Sequence, residues 1–153
     1  MSEMVRFEIE NLKELTDKLK QIGEDVARRG LLTSLTAGAL IVQNAAKENA
    51  PWRTGTLRRS IHTETVSSSS ESAAVAVGTD VVYAAIQEFG GIVTPKVANA
   101  LVFQVPPKSG HWVNVQMVEI PAHPYLRPAL DENLDRIENE IVGALNEIIE
   151  AAL

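Results

Sequence analysis

The sequence predicts an α+β fold: a small, mostly antiparallel sheet packed with two N-terminal helices and a long C-terminal helix. Three observations lead there. Apolar residues recur at three- and four-residue spacing near both ends of the chain. Short alternating or β-branched segments, separated by polar turns, fill the middle. A length of 153 residues, 45% of them hydrophobic, suits a single domain over 1–153 with one core.

The first helix is expected over residues 11–28, with Leu12, Leu15, Leu19, Ile22 and Val26 on one face. Asn11 stands where it would cap that helix, with Glu14 as its capping-box partner. A second helix is expected over 31–49, its apolar side formed by Leu31, Leu35, Val42, Ala45 and Ala46. Gly38 and the alanines imply close approach of another element. Pro51 ends the helix, because the residue before a proline disfavours the α region. The helical N-terminal part thus spans 11–49.

Residues 60–66 alternate and are β-branched, which reads as a strand. The polar run at 67–72 (SSSSES) is a turn, and 73–78 the returning strand. A short helix over 81–89 is stopped by Gly90 and Gly91. Residues 101–105 and 112–118 are further strands, joined by a hairpin loop at 106–110. This sheet region covers 60–118. The last helix is expected over 127–152, where Leu130, Leu134, Ile137, Ile141, Leu145 and Ile148 form a stripe. At 1.5 Å per residue it would be roughly 39 Å long. A stripe of that length needs the sheet, the first helices or another subunit to cover it.

The net charge is −6 and unevenly spread. Residues 126–153 hold seven acids and two bases, whereas 47–62 hold four bases (Lys47, Arg53, Arg58, Arg59) and one acid, Glu48. An acidic chain with 5% aromatics is unlike a dedicated nucleic-acid binder. The local basic cluster still leaves an anion-facing role open. The absence of cysteine excludes a disulfide scaffold, a thiolate zinc site and a cysteine nucleophile. No apolar run approaches the ~18 residues of a membrane helix. The first ten residues lack the pattern of a signal peptide. A soluble protein kept inside the cell is expected, with no membrane contact.

Little in the sequence suggests catalysis. Ser60, His62 and Glu64 are triad-type residues, but on one strand face successive members stand about 6.5–7 Å apart. A triad needs contacts near 2.6–3.2 Å, so the wet face of an amphipathic strand is the plainer reading. His62, His111 and His123 have no metal-ligand spacing. Gly90-Gly91 lacks the lysine of a phosphate loop. The acids of the last helix read as a solvated face. No enzyme activity, cofactor, metal or small-molecule substrate is expected.

Three segments carry a resemblance. The first is Ala50-Pro51-Trp52-Arg53-Thr54-Gly55-Thr56-Leu57-Arg58-Arg59-Ser60-Ile61. The second is Gly78-Thr79-Asp80 with Tyr83-Ala84-Ala85 and Glu88-Phe89-Gly90-Gly91. The third is Ile120-Pro121-Ala122-His123-Pro124-Tyr125-Leu126-Arg127-Pro128-Ala129-Leu130. In this order they resemble the small neck or tail-completion proteins of long-tailed bacteriophages, with their pattern APxxTGxLRxSI, then YAxxxEFGG, then PARPFLRPAL. The stretch 95–103 (PKVANALVF) is similar to their PKxAKALxF segment. The resemblance runs from about residue 36 to 135. His123, Tyr125 and Gly91 depart from it, which puts details of the partner surface in doubt.

Physically, Thr54-Gly55 should make a tight turn between the second helix and the first strand, with Leu57 and Ile61 anchored in the core. Arg53, Arg58 and Arg59 are then displayed together. They read either as a solvated surface paired with the acidic last helix, or as contacts for an acidic neighbour or for DNA phosphates. Tyr83 and Phe89 read as local core packing or as part of a subunit interface. Glu88 and Phe89 are candidate partner contacts, and Gly90-Gly91 should release the chain into a docking loop. Pro124 and Pro128 fix the approach to the last helix, with Pro128 in its first turn. Tyr125, Leu126 and Arg127 complete this structural motif, Arg127 as a cap or a pairing residue.

The resemblance implies a non-enzymatic phage or prophage structural protein of the virion neck or tail, assembled in the host cytoplasm. It would join or complete the head–tail connection through contacts with copies of itself, in a ring, and with adjacent neck or tail proteins. A passing contact with genomic DNA stays open. The alternative is a nucleic-acid-binding module built on Arg53, Arg58 and Arg59.

Overall fold

The computed structural model describes residues 12–105 and 107–153. The first eleven residues, with Asn11 as the expected cap, and Pro106 in the hairpin loop lie outside them. The chain runs α1 (Leu12–Ile22), α2 (Glu24–Asn49), α3 (Thr56–Ser60), β1 (His62–Ser68), β2 (Ala73–Gly78), α4 (Ala84–Phe89), β3 (Gly91–Val93), β4 (Leu101–Val105), β5 (His111–Val115), β6 (Val118–Ile120), α5 (Leu126–Asp131) and α6 (Leu134–Ala152). The α+β class predicted from the sequence holds.

The central element is α2, which packs against α1, α5, α6 and the β1–β2 ribbon. The expected break between the first two helices, near residues 29–30, falls instead at Gly23. Gly30 continues the helix because its bare backbone face meets Leu19 and Ile148, where a Cβ would stand 3.4–3.5 Å away. Gly38 gives a closer approach than Gly30. A Cβ there would lie 2.8 Å from the Ile141 side chain, so α6 seats directly on α2. Leu19, Val42, Tyr125, Leu126, Ile137, Ile141 and Leu145 are fully buried in the core so formed.

The long last helix is two helices, broken at Glu132-Asn133. The Asn133 amide nitrogen donates to the Leu130 carbonyl and its side chain to the Ala129 carbonyl, which closes α5 and starts α6. The buried stripe of α6 is Ile137, Ile141, Leu145 and Ile149, with Ile148 half-buried beside it and Leu134 exposed. Helices α2 and α1 cover it, so the stripe needs no second subunit.

Among the described residues, the strands form three separate two-stranded antiparallel ribbons: β1–β2, β3–β6 and β4–β5. The strand expected at 60–66 starts at His62, because Thr56–Ser60 makes a helical turn first. The strand expected at 112–118 divides into β5 and β6, and β6 pairs with β3. Gly91 therefore opens a strand, not a loop.

Candidate interaction surface

The basic segment takes its shape from α2's end. Ala50 leaves the helix in an extended conformation (φ −62, ψ 135), as a residue before proline prefers. Gly55 then adopts φ 73, the left-handed region that glycine enters without a Cβ clash. This makes Gly55 the residue before α3. Its carbonyl accepts the Arg59 amide hydrogen at 3.0 Å, and the Thr54 hydroxyl oxygen accepts that of Thr56 at 3.4 Å. Leu57 and Ile61 are buried and hold the turn in the core. Ser60 Oγ lies 2.6 Å from Thr79 Oγ1 and donates to the Leu57 carbonyl. His62 Nδ1 instead meets the Ser60 carbonyl at 2.8 Å, so Ser60 and His62 form no nucleophile–base pair.

The three arginines diverge. The Arg58 guanidinium lies over the Trp52 ring, 5.3 Å from its centroid, a cation–π distance. Arg59 folds back, donating to the Thr54 carbonyl at 3.4 Å. Arg53 faces an open cleft of about 640 Å³ lined by Pro51, Leu57, Tyr83, Pro107 and Lys108. A shallower depression of about 480 Å³ continues from Arg53 and Lys108 along Phe103, Val105 and Trp112. Trp52 is 71% and Trp112 70% exposed, and these are the chain's two tryptophans. Tyr83, half open to solvent, borders the cleft and is not a core residue. Among the described residues, no acidic side chain lines either depression. The surface is therefore apolar and aromatic inside and basic at the rim.

Glu88 and Phe89 part company. Phe89 is 69% exposed. Glu88 is only 4% exposed, and it faces into the fold, not toward a partner. Its carboxylate accepts three backbone N–H groups: Tyr125 at 2.8 Å, Leu126 at 2.9 Å and Arg127 at 2.9 Å. These are the free donors at the start of α5, which has Tyr125 where a helix usually has Ser, Thr, Asp or Asn. A carboxylate from α4 thus caps a helix 37 residues further on. Pro128, in the same first turn, has no N–H to satisfy.

Three further contacts close this joint. The His123 amide donates to the Gln87 carbonyl at 2.7 Å. The Asn49 side chain reaches the Tyr125 carbonyl at 3.4 Å. Gly90 (φ 70) passes so near the 120–122 backbone that a Cβ would stand 2.7 Å from the Ala122 nitrogen. Pro124 leads into the joint, Tyr125 and Leu126 are buried in it, and Arg127 pairs at the surface with Asp131 at 3.3 Å. The second and third sequence motifs are thus one structural unit. The buried role of Glu88 was missed in the sequence. Two signals pointed to it: Ala84 and Glu88 share a helix face at i, i+4 spacing, and no local cap precedes α5.

A family model described as "Bacteriophage HK97-gp10, putative tail-component" matches residues 13–90, just over half of the chain. The chain belongs to the HK97-gp10-like family. No curated protein and no solved structure matches it. The HK97-gp10-like match spans α1 to α4 and ends at Gly90, so it contains the basic turn, Tyr83 and Glu88. The remaining wall of the cleft, Pro107 and Lys108, comes from beyond it. Among the described residues, no three His, Asp or Glu side chains gather as a metal set, and no helix is long and apolar enough to cross a membrane.

Proposed function

We propose that this phage structural protein joins or completes the head–tail connection, as a ring of copies held by protein–protein contacts and without catalysing a reaction. The observation that carries the reading is the cleft beside α3: apolar and aromatic walls under a basic rim, open to solvent, on a chain of a phage tail-component family. A surface so composed suits a protein partner, because aromatic and arginine side chains dominate well-packed interfaces. Its place is then the neck or tail of the virion, reached after assembly in the host cytoplasm, beside copies of itself and adjacent neck or tail proteins.

The test is electron microscopy of particles made without the gene, with a plasmid copy restored as control. Filled heads separate from tails, or tails of abnormal length, are the expected result. Normal infectious virions without the gene would overturn the reading. The pairing of Trp52 with Arg58, together with the exposed Trp112, favours a second reading, contact with nucleic-acid phosphates and bases. Oligonucleotide titration would then quench tryptophan fluorescence with an affinity falling steeply in salt.

A further inference from the structure

We infer that the occupant of the basic cleft is the acidic α5–α6 corner of a second copy of this chain, the Leu134 side chain seated between the apolar walls and its neighbouring carboxylates meeting Arg53 and Lys108. The inference rests on the ring reading and gives its contact a head and a tail.

The corner is built for such a role. Leu134 belongs to the stripe that α6 turns toward α2, yet it is 48% exposed because the chain breaks at Glu132-Asn133 and leaves the first turn uncovered. Around it stand exposed carboxylates at Glu132, Asp135 and Glu138. Asp131 is already engaged by Arg127. An exposed leucine ringed by acids is the chemical complement of an apolar cleft rimmed by bases. Opposite charges steer the two surfaces together, and burial of the leucine adds a non-directional contribution.

The two surfaces cannot meet within one molecule. Ile137, one turn into α6, packs at Gly38, about three turns of α2 before its end at Asn49. The cleft lies beyond that end, at Pro51 and Leu57. Corner and cleft are different patches of the same chain, so the contact between copies is heterologous. Such contacts close into a ring when the rotation permits.

A charge-swap experiment tests this. One variant carries R53E and K108E, the other E132K and E138K; all four positions are exposed, so both should fold as the wild type does. Association is read by sedimentation and by the emission of Trp52 and Trp112, which lie beside the cleft. Each variant alone should associate at least tenfold more weakly than their 1:1 mixture at low salt, because in the mixture every cleft meets a corner of opposite charge. The mixture should also shift the tryptophan emission. A mixture no more associated than its parts overturns the inference. So does an equal loss of self-association in K13E/K18E, a matched charge change on α1 that leaves cleft and corner intact. The ring reading is judged separately, on particles. If complemented particles assemble normally with either charge variant, the ring stands and this contact fails.

Discussion

Replacing Glu88 by alanine puts the joint between α4 and α5 to its sharpest test. The carboxylate accepts N–H groups at 2.8, 2.9 and 2.9 Å, and two of the donors belong to the buried residues Tyr125 and Leu126. Hydrogen bonds to a charged group contribute about 1.5–3 kcal/mol each, net of exchange with water. Three that share one carboxylate are not additive, which puts their joint contribution at about 2–4 kcal/mol. The same range follows from the other side. Alanine leaves two buried N–H groups without an acceptor, at about 1–3 kcal/mol each, lowered where water fills the vacated space. Glu88→Ala should therefore destabilise by about 3 kcal/mol. Glu88→Gln keeps one acceptor oxygen but no charge and should cost about 1–2 kcal/mol. For a chain of this size each kcal/mol moves Tm by about 2–4 °C, so the alanine variant should melt about 6–12 °C lower. Urea unfolding followed by circular dichroism reads both variants. A loss below about 1 kcal/mol for alanine would refute the capping argument.

Other expectations concern the glycines and the basic turn. Gly90→Ala places a Cβ 2.7 Å from the Ala122 nitrogen at φ 70, and should cost about 2–4 kcal/mol in urea unfolding. Gly143→Ala, on the open side of α6 with nothing within 4 Å, should instead stabilise by about 0.5–1 kcal/mol. Gly38→Ala forces a methyl against Ile141 and should cost about 1–3 kcal/mol; Ile141→Val in the same chain should recover part of that loss, a coupling that a double-mutant cycle measures. Arg58→Ala removes the stacking partner of Trp52 and should change stability by no more than about 1 kcal/mol while shifting tryptophan emission.

The helices were legible because their signal is local. The spacing of Leu15, Leu19 and Ile22 needs no tertiary context, nor does that of Ile137, Ile141 and Leu145. Gly38 could be read as a close-packing position from its small neighbours alone. Helix boundaries were less legible, since two glycines competed for the break: Gly30 was kept helical by packing against Leu19 and Ile148, and Gly23 was not. The last helix hid its break because Glu132 and Asn133 are unremarkable in a helix, and only side-chain bonding at Asn133 shows the stop. Strand partners were the least legible feature. Three residues, Gly91–Val93, are too few to show alternation, and their partner β6 lies 25 residues on. Of the candidate site, the left-handed turn at Gly55 and the grouping of Arg53, Arg58 and Arg59 could be read from Thr-Gly and the charge run. The cleft could not, because its second wall, Pro107 and Lys108, comes from a hairpin 50 residues away.

These differences divide the molecule by function. The second and third motifs lock together through Glu88, Gly90 and the β3–β6 ribbon, and the Asn49 side chain ties the joint to the end of α2. The basic turn leaves α2 one residue later. Rigidity at the joint thus fixes the direction in which Pro51, Arg53 and Leu57 leave the core. It also fixes where Tyr83, at the start of α4, stands opposite them. A surface that must select one partner gains from such support, because side chains held in place lose less freedom on binding. It follows that weakening the joint should loosen the cleft as well as the fold. Glu88→Gln, which retains most of the stability, should then reduce partner binding more than its stability loss alone accounts for.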